Sequence, residues 1–332
     1  MFVGVVLNPQ ARKNRGTSSD RAEHLSDLLG RHGQVVETRS LDDLPSAVER
    51  LLPRATHLVS DGGDGALHWL INEVRDRLGD DPDRWPTFVP TNGGTIDFVA
   101  RRAGVRGHAA AIVGRLATAA ATRRPPREVE LDTLRVEGTY TDGRAFVRHG
   151  FALAAGGIGN RFFDKYYEDP EPSAGTIVGI IARTVSEYAL GQIGAKRDTS
   201  YSDHMFRPTP ARVTIDGQEV RTHAHDGLHA GSIDVNFAGV LRVFPFAHEA
   251  GALHFHAGAL RPSVIISNIP ELIAGRALSG DNLIDTRGHE MVITAEREPL
   301  RPVIDGERYE DVAGLRITSG PRVRIGRVRA RR

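Results

Sequence analysis

Ser60-Asp61-Gly62-Gly63-Asp64-Gly65 is the stretch on which the fold turns. It follows an apolar run, Thr56-His57-Leu58-Val59, with the composition of a buried strand end. It precedes Ala66 to Leu78, where Leu67, Leu70, Ile71, Val74 and Leu78 recur at helical spacing. A glycine loop between a strand and a helix suits an anionic oxygen. Glycines let backbone N–H groups approach without an intervening Cβ, and the helix start adds partial positive charge. Asp64 is an acid where a phosphate would be repelled. The conflict disappears if Asp64 works through a Mg²⁺ ion or polarises an attacking hydroxyl, the two tasks that phosphoryl transfer sets an acid. Taken alone, Asp-Gly-Gly-Asp-Gly is also a tight turn at a strand edge.

Two more loops support the first. Phe88-Val89-Pro90 ends another strand-like run and leads into Thr91-Asn92-Gly93-Gly94-Thr95-Ile96-Asp97-Phe98-Val99-Ala100. Near the start, Val3-Gly4-Val5-Val6-Leu7 is a short apolar strand ending in Asn8-Pro9-Gln10-Ala11-Arg12-Lys13-Asn14-Arg15-Gly16, whose basic cluster suits a nucleotide's phosphates. In an open parallel sheet, ligands sit beyond the carboxyl ends of the strands, so these loops would border one crevice.

The order of the Asn-Pro loop, Gly-Gly-Asp-Gly and Gly-Thr-x-Asp-Phe resembles the catalytic domain shared by diacylglycerol, sphingosine and related bacterial lipid kinases, over roughly the first 130 residues. The resemblance implies an α/β + β fold. A three-layer, doubly wound α/β nucleotide-binding domain would span residues 1–128, completed by 308–332. An antiparallel β-sandwich would span 129–307 and carry the lipid acceptor. ATP and Mg²⁺ are the implied cofactors. Asn8, Pro9, Arg12, Gly62, Gly63, Gly65, Gly94 and Thr95 would hold the nucleotide, with Asp64 as the metal-linked acid. Asp132, in Arg127-Glu128-Val129-Glu130-Leu131-Asp132, would join the acceptor or metal network. Glu307, in Pro302-Val303-Ile304-Asp305-Gly306-Glu307, would take the acceptor hydroxyl's proton in a cleft between the domains. Asp305-Gly306 is also a common β-hairpin turn signal.

The chain departs from the family pattern at Ala66, His68 and Trp69, where the family's glutamate is absent; Asn72-Glu73-Val74 occurs one helical turn later. Asp97 stands at or near the position of a family asparagine.

The second half alternates short β-like segments with turns: Leu134 to Val136, Ala145 to Leu153, Arg212 to Ile215, Ser232 to Phe237, Leu241 to Phe244, Val264 to Ser267 and Met291 to Thr294. Hairpins are expected at Thr139-Tyr140-Thr141-Asp142-Gly143 and Ile215-Asp216-Gly217-Gln218. One helix is expected from Ser173 to Gln192, forming either a wall of an acyl-chain slot or an amphipathic helix packed on a sheet. Gly314-Leu315-Arg316-Ile317 would return to the first domain.

The 332 residues include no cysteine, which excludes disulfides, thiolate catalysis and cysteine-based zinc sites. No segment approaches the roughly 20 uninterrupted apolar residues of a membrane span. Met1-Phe2-Val3-Gly4 lacks the pattern of a signal peptide, so a cytoplasmic location is expected, with peripheral contact at the inner membrane face left open. A net charge of +1 argues against nucleic acid as a partner. Six arginines in the last eleven residues form either a lipid-headgroup contact or a solvated edge or disordered end. A homodimer is also left open. His223, His225 and His229, and His254 and His256, alternate as they would on one strand face, but no recognised spacing ties an acidic partner to either group. Two rival functions stand beside the lipid kinase: a NAD kinase, which also uses Gly-Gly-Asp-Gly, and a non-catalytic lipid- or nucleotide-binding relative.

Overall fold

Strands β1 (Val3–Leu7), β2 (Gly33–Glu37), β3 (His57–Asp61) and β4 (Thr87–Pro90) form a parallel sheet in the order β2-β1-β3-β4. Strands β1, β3 and β4 are buried at every residue, as parallel strands covered on both faces must be. The computed structural model describes all residues except 12, 13, 15–17, 238, 250 and 330–332.

Helices α1 (Ser18–Leu29), α2 (Leu44–Leu51), α3 (Asp64–Leu78), α4 (Phe98–Ala103) and α5 (Ala109–Ala121) connect or flank these strands. The crossover from β1 to β2 moves one way along the sheet and that from β2 to β3 moves back past β1. Right-handed connections therefore put α1 and α2 on opposite faces. Packing agrees: α1 meets α5, and α2 meets α3. The expected three-layer, doubly wound architecture is present. Its topological switch point lies between β1 and β3, where Asn8 and Gly62 follow the strand ends.

Val323–Arg327 extends this sheet, parallel to β4 and antiparallel to β5 (Arg127–Leu131) at the edge. The arginine-rich end therefore includes a sheet strand, and Arg322, Arg327 and Arg329 stay exposed along it; Arg331 and Arg332 lie outside the described residues. Arg322 Nε donates to Asp132 at 2.9 Å, and Arg324 donates to the Trp85 carbonyl.

Contacts divide the chain into residues 1–132 with 321–332, and residues 133–320. Gly314-Leu315-Arg316-Ile317 does not return to the first unit. It lies within Val312–Ser319, hydrogen-bonded on both sides to strands of the second unit, and the return follows at 321.

Among the described residues, the second unit holds two large antiparallel sheets and a two-stranded ribbon. The expected strand Ala145 to Leu153 divides at Phe151. Ala145–Gly150 belongs to one large sheet and Ala152–Gly156 to the other. Both expected hairpins form. Val264 to Ser267, expected as a β-like segment, is instead part of the helix Pro262–Ser267, where Pro262 at the first helical position presets φ. The helix Ala174–Gln192 starts one residue after its expected beginning, with Ser173 and Thr176 closing a capping box. It is not alone among helices of this unit: Gly157–Glu168, Ser200–Met205 and Ile269–Ala274 also form. No helix among the described residues is long and apolar enough to cross a membrane.

Candidate functional site

The glycine loops after β3 and β4 pack backbone against backbone. Gly93 N donates to Gly62 O at 3.2 Å. A Cβ on Gly63 would stand 3.0 Å from Gly94 Cα, and one on Gly94 would stand 2.7 Å from Gly63 Cα. The loops need glycine because they touch each other, before any ligand is considered. Asn8 joins them: its N–H donates to Asp61 O at 3.2 Å, and its Oδ1 accepts from Gln10 N at 2.9 Å in a turn that also contains Pro9. Asn8, Gly62, Gly63 and Gly94 are thus brought together at the switch point. Arg12 lies outside the described residues.

Helix α3 begins at Asp64, so Gly65 is in its first turn, and Gly63 at the N-cap has no side chain to satisfy the first amides. Those N–H groups and the helix dipole suit a phosphate oxygen. Asp64 has a task that the motif did not reveal. Its two carboxylate oxygens accept from Phe98 N and Val99 N, both at 3.1 Å, and so cap helix α4. Asp97, which precedes α4, sits at φ +50° and instead accepts from Gly94 N at 2.8 Å. Thr95, between them, is partly exposed. A carboxylate at this place is the oxygen donor that suits a Mg²⁺ ion which keeps most of its water and leans on substrate phosphates.

Three residues that sequence reasoning missed hold this frame. Asp61 is fully buried and takes a two-pronged ion pair from Arg21, at 2.7 and 2.8 Å, as well as the Thr91 hydroxyl at 2.9 Å. The pair ties helix α1 and the end of β4 to the end of β3. Asn14 Nδ2 donates to both Asn8 O, at 2.8 Å, and Asp61 O, at 2.9 Å, joining the ends of β1 and β3. Asp61 and Asn14 were visible within the quoted loops, but Arg21 carried no local signal.

Glu73 does not replace the missing glutamate of the first turn, since it pairs with Arg77 at 2.9 Å along the helix. His68 is buried and meets the Trp69 ring edge-on at 5.3 Å.

Asp132 is corrected by register. Strand β5 runs antiparallel to Val323–Arg327, with Leu131 opposite Val323, while Val323–Arg327 runs parallel to β4. Asp132 therefore lies at the amino-terminal edge of the parallel strands, opposite the glycine loops.

In the second unit, Asp305-Gly306 is a two-residue hairpin turn, with φ of +52° and +91°, between Val303–Ile304 and Glu307–Arg308. Asp305 is buried and accepts from Phe151 N at 2.9 and 3.1 Å and from Ala152 N at 2.9 Å. It satisfies the corner where the chain passes from one sheet to the other. Glu307 is partly exposed just beyond the turn. Tyr167 donates its hydroxyl to Gly306 O. Tyr167 belongs to an aromatic group on Gly157–Glu168, with its ring 5.8 Å from Phe163 and 5.6 Å from Tyr166. The helix touching this turn is therefore Gly157–Glu168, which the sequence reading did not find.

No protein-family model matches the chain, and no curated protein matches it in sequence. Solved structures do match in fold. Two structures of a provisionally named diacylglycerol kinase from Bacillus anthracis superpose with TM-scores of 0.62 and 0.60 at 15% and 16% identity; they cover 96% of this chain, and 93% and 94% of those chains. A third, named a diacylglycerol kinase from the same organism, gives 0.57 at 14% identity, covering 98% of this chain and 94% of that one. The likeness extends over both units and is one of fold.

Proposed function

We propose that this protein is an ATP-dependent lipid kinase that transfers the γ-phosphoryl group to a hydroxyl of a diacylglycerol-like lipid. The observation that carries the proposal is the convergence of Asn8, Gly62-Gly63, Gly94 and Asp64 at the switch point of a doubly wound sheet. The names of the solved structures that share the fold support a diacylglycerol-like acceptor. In this reading the first-turn amides of α3 and the loop backbones hold phosphate oxygens, and Asn8, Thr95 and the basic residues after Pro9 complete the nucleotide site. Bound Mg²⁺ would neutralise phosphate charge, with Asp64 as its protein ligand. Glu307 takes the proton of the acceptor hydroxyl as its oxygen bonds to the γ-phosphorus and the bond to the β-phosphate oxygen breaks. With a loose transition state, most of the rate gain comes from positioning and charge neutralisation.

Two observations favour an apolar acceptor. The aromatic rings of Gly157–Glu168 stand beside the turn that carries Glu307, and the helix Ala174–Gln192 exposes Val178 and Leu190. The latter are proposed to touch a membrane surface peripherally. The engagement of Asp64 as a helix cap favours the second reading, a binding protein without turnover.

The test is transfer of labelled γ-phosphate from Mg-ATP to diacylglycerol, sphingosine, monoacylglycerol and phosphatidylglycerol in mixed micelles, with NAD in a parallel reaction. A labelled lipid supports the proposal. Conversion of NAD to NADP alone makes it a NAD kinase, and nucleotide binding without either product makes it a binding protein.

A further inference from the structure

A buried imidazole–carboxylate cluster lies wholly within the second unit. His254 and His256 alternate on the strand Leu253–Gly258 and so share one face, and Asp285 is the direct cross-strand partner of His256 on the edge strand Leu283–Gly288. His254 Nε2 contacts Asp285 Oδ1, and His256 Nε2 lies 3.4 Å from the same oxygen. One donor atom from each of the three residues lies within 4.8 Å of the others. Both imidazoles are buried, at 0% and 3% exposure.

The cluster is incompletely satisfied. Among the described residues, neither His256 Nε2 nor His254 Nδ1 has a hydrogen-bond partner. Buried polar atoms without partners are rare because they lose water and gain nothing in return. The surroundings hold the three groups in place. Asp285 Oδ2 accepts from Leu278 N at 2.6 Å. The Phe244 ring stacks on His256 at 5.4 Å, and Phe246 lies 5.0 Å from His254. Phe244 holds φ at +64°, an unfavourable conformation for a bulky residue.

We propose that His254, His256 and Asp285 bind one divalent cation of the zinc type. Two imidazoles and a carboxylate are a zinc donor set, whereas Mg²⁺ and Ca²⁺ favour all-oxygen sites. The cation takes the lone pair of His256 Nε2 and, once the His254 proton shifts to Nδ1, that of His254 Nε2, and it neutralises the buried carboxylate. Three protein ligands leave one position for water. Because the ligands span the edge strand and its neighbour, the ion fastens that edge, and the site is independent of the glycine loops.

The experiment uses the tag-free full chain, stripped with chelator and titrated with Co²⁺ and then Zn²⁺. The expected result is one Co²⁺ per chain with visible ligand-field bands, displacement by an equivalent of Zn²⁺, and a higher melting temperature with metal. Asp285→Asn and His256→Gln should each weaken Zn²⁺ binding by more than the about 10–100-fold that loss of a supporting residue costs. His223→Gln should keep full binding, since that imidazole is paired with Glu296 elsewhere, at 2.7 Å. Uptake of no metal by the wild type, or undiminished uptake by the Asp285→Asn and His256→Gln variants, overturns the proposal. If those variants do not fold, zinc-edge X-ray absorption of the loaded wild type decides: two imidazole ligands support the site, and their absence overturns it.

Discussion

Arg21→Ala removes both prongs of the ion pair to Asp61 and leaves a carboxylate of 0% exposure whose one remaining side-chain partner among the described residues is the Thr91 hydroxyl. Breaking a buried pair from one side costs about 3–5 kcal/mol, because the remaining charge has lost water and partner together. The Arg21 side chain is itself 21% exposed, so water partly replaces it and the lower end, about 3 kcal/mol, is expected. At roughly 2–4 °C per kcal/mol, the melting temperature falls by on the order of 10 °C. Trp69 and Trp85 are the chain's two tryptophans, and both lie in the α/β unit, so their fluorescence during urea unfolding reports on this unit alone. The double variant Arg21→Ala/Asp61→Asn should regain part of the loss, since no charge is left unpaired. A loss below about 1 kcal/mol, or a double variant no more stable than Arg21→Ala, would refute the reasoning.

Three other variants probe the frame. Asp64→Ala should lower stability by about 1–2 kcal/mol through loss of the α4 cap, as well as abolishing transfer, and Asp64→Asn should retain part of the cap; urea unfolding measures both. Asp305→Ala should destabilise the second unit by about 2–4 kcal/mol in calorimetry, since two buried amides lose their acceptor and alanine must adopt a positive φ. His57 is buried, and burial outweighs the nearby Glu128 charge to hold its pKa below the usual 6.5. The unfolded chain therefore binds a proton that the folded chain does not as pH falls through about 6.5, so stability drops on acidification, by at most about 1.4 kcal/mol per pH unit for one proton. His57→Gln should flatten the tryptophan-monitored stability curve between about pH 7.5 and 5.5; an unchanged slope would count against it.

The parallel sheet was legible because Val3–Leu7, His57–Asp61 and Thr87–Pro90 are buried on both faces and end in glycine or Asn-Pro loops, signals carried by neighbouring residues. What escaped was set at long range. Arg21 meets Asp61 only once helix α1 is packed, and Asp285 meets His256 only through strand register. Asp132 looked suitable by motif, yet the antiparallel direction of β5 carries it to the opposite sheet edge. The Val-Ile-Ile run in Pro262–Ser267 has strand-like composition, yet the proline before it starts a helix. The break at Phe151 had no local signal, because its amide is satisfied by Asp305, far along the chain.

The most direct test of the account is kcat and KM for Mg-ATP in lipid phosphorylation by Glu307→Gln beside the wild type. Loss of the proposed proton acceptor should lower kcat by about 10²–10⁴-fold, with KM for Mg-ATP and the melting temperature unchanged. A Glu307→Gln variant that folds and keeps its kcat would contradict the assignment of Glu307 as the base.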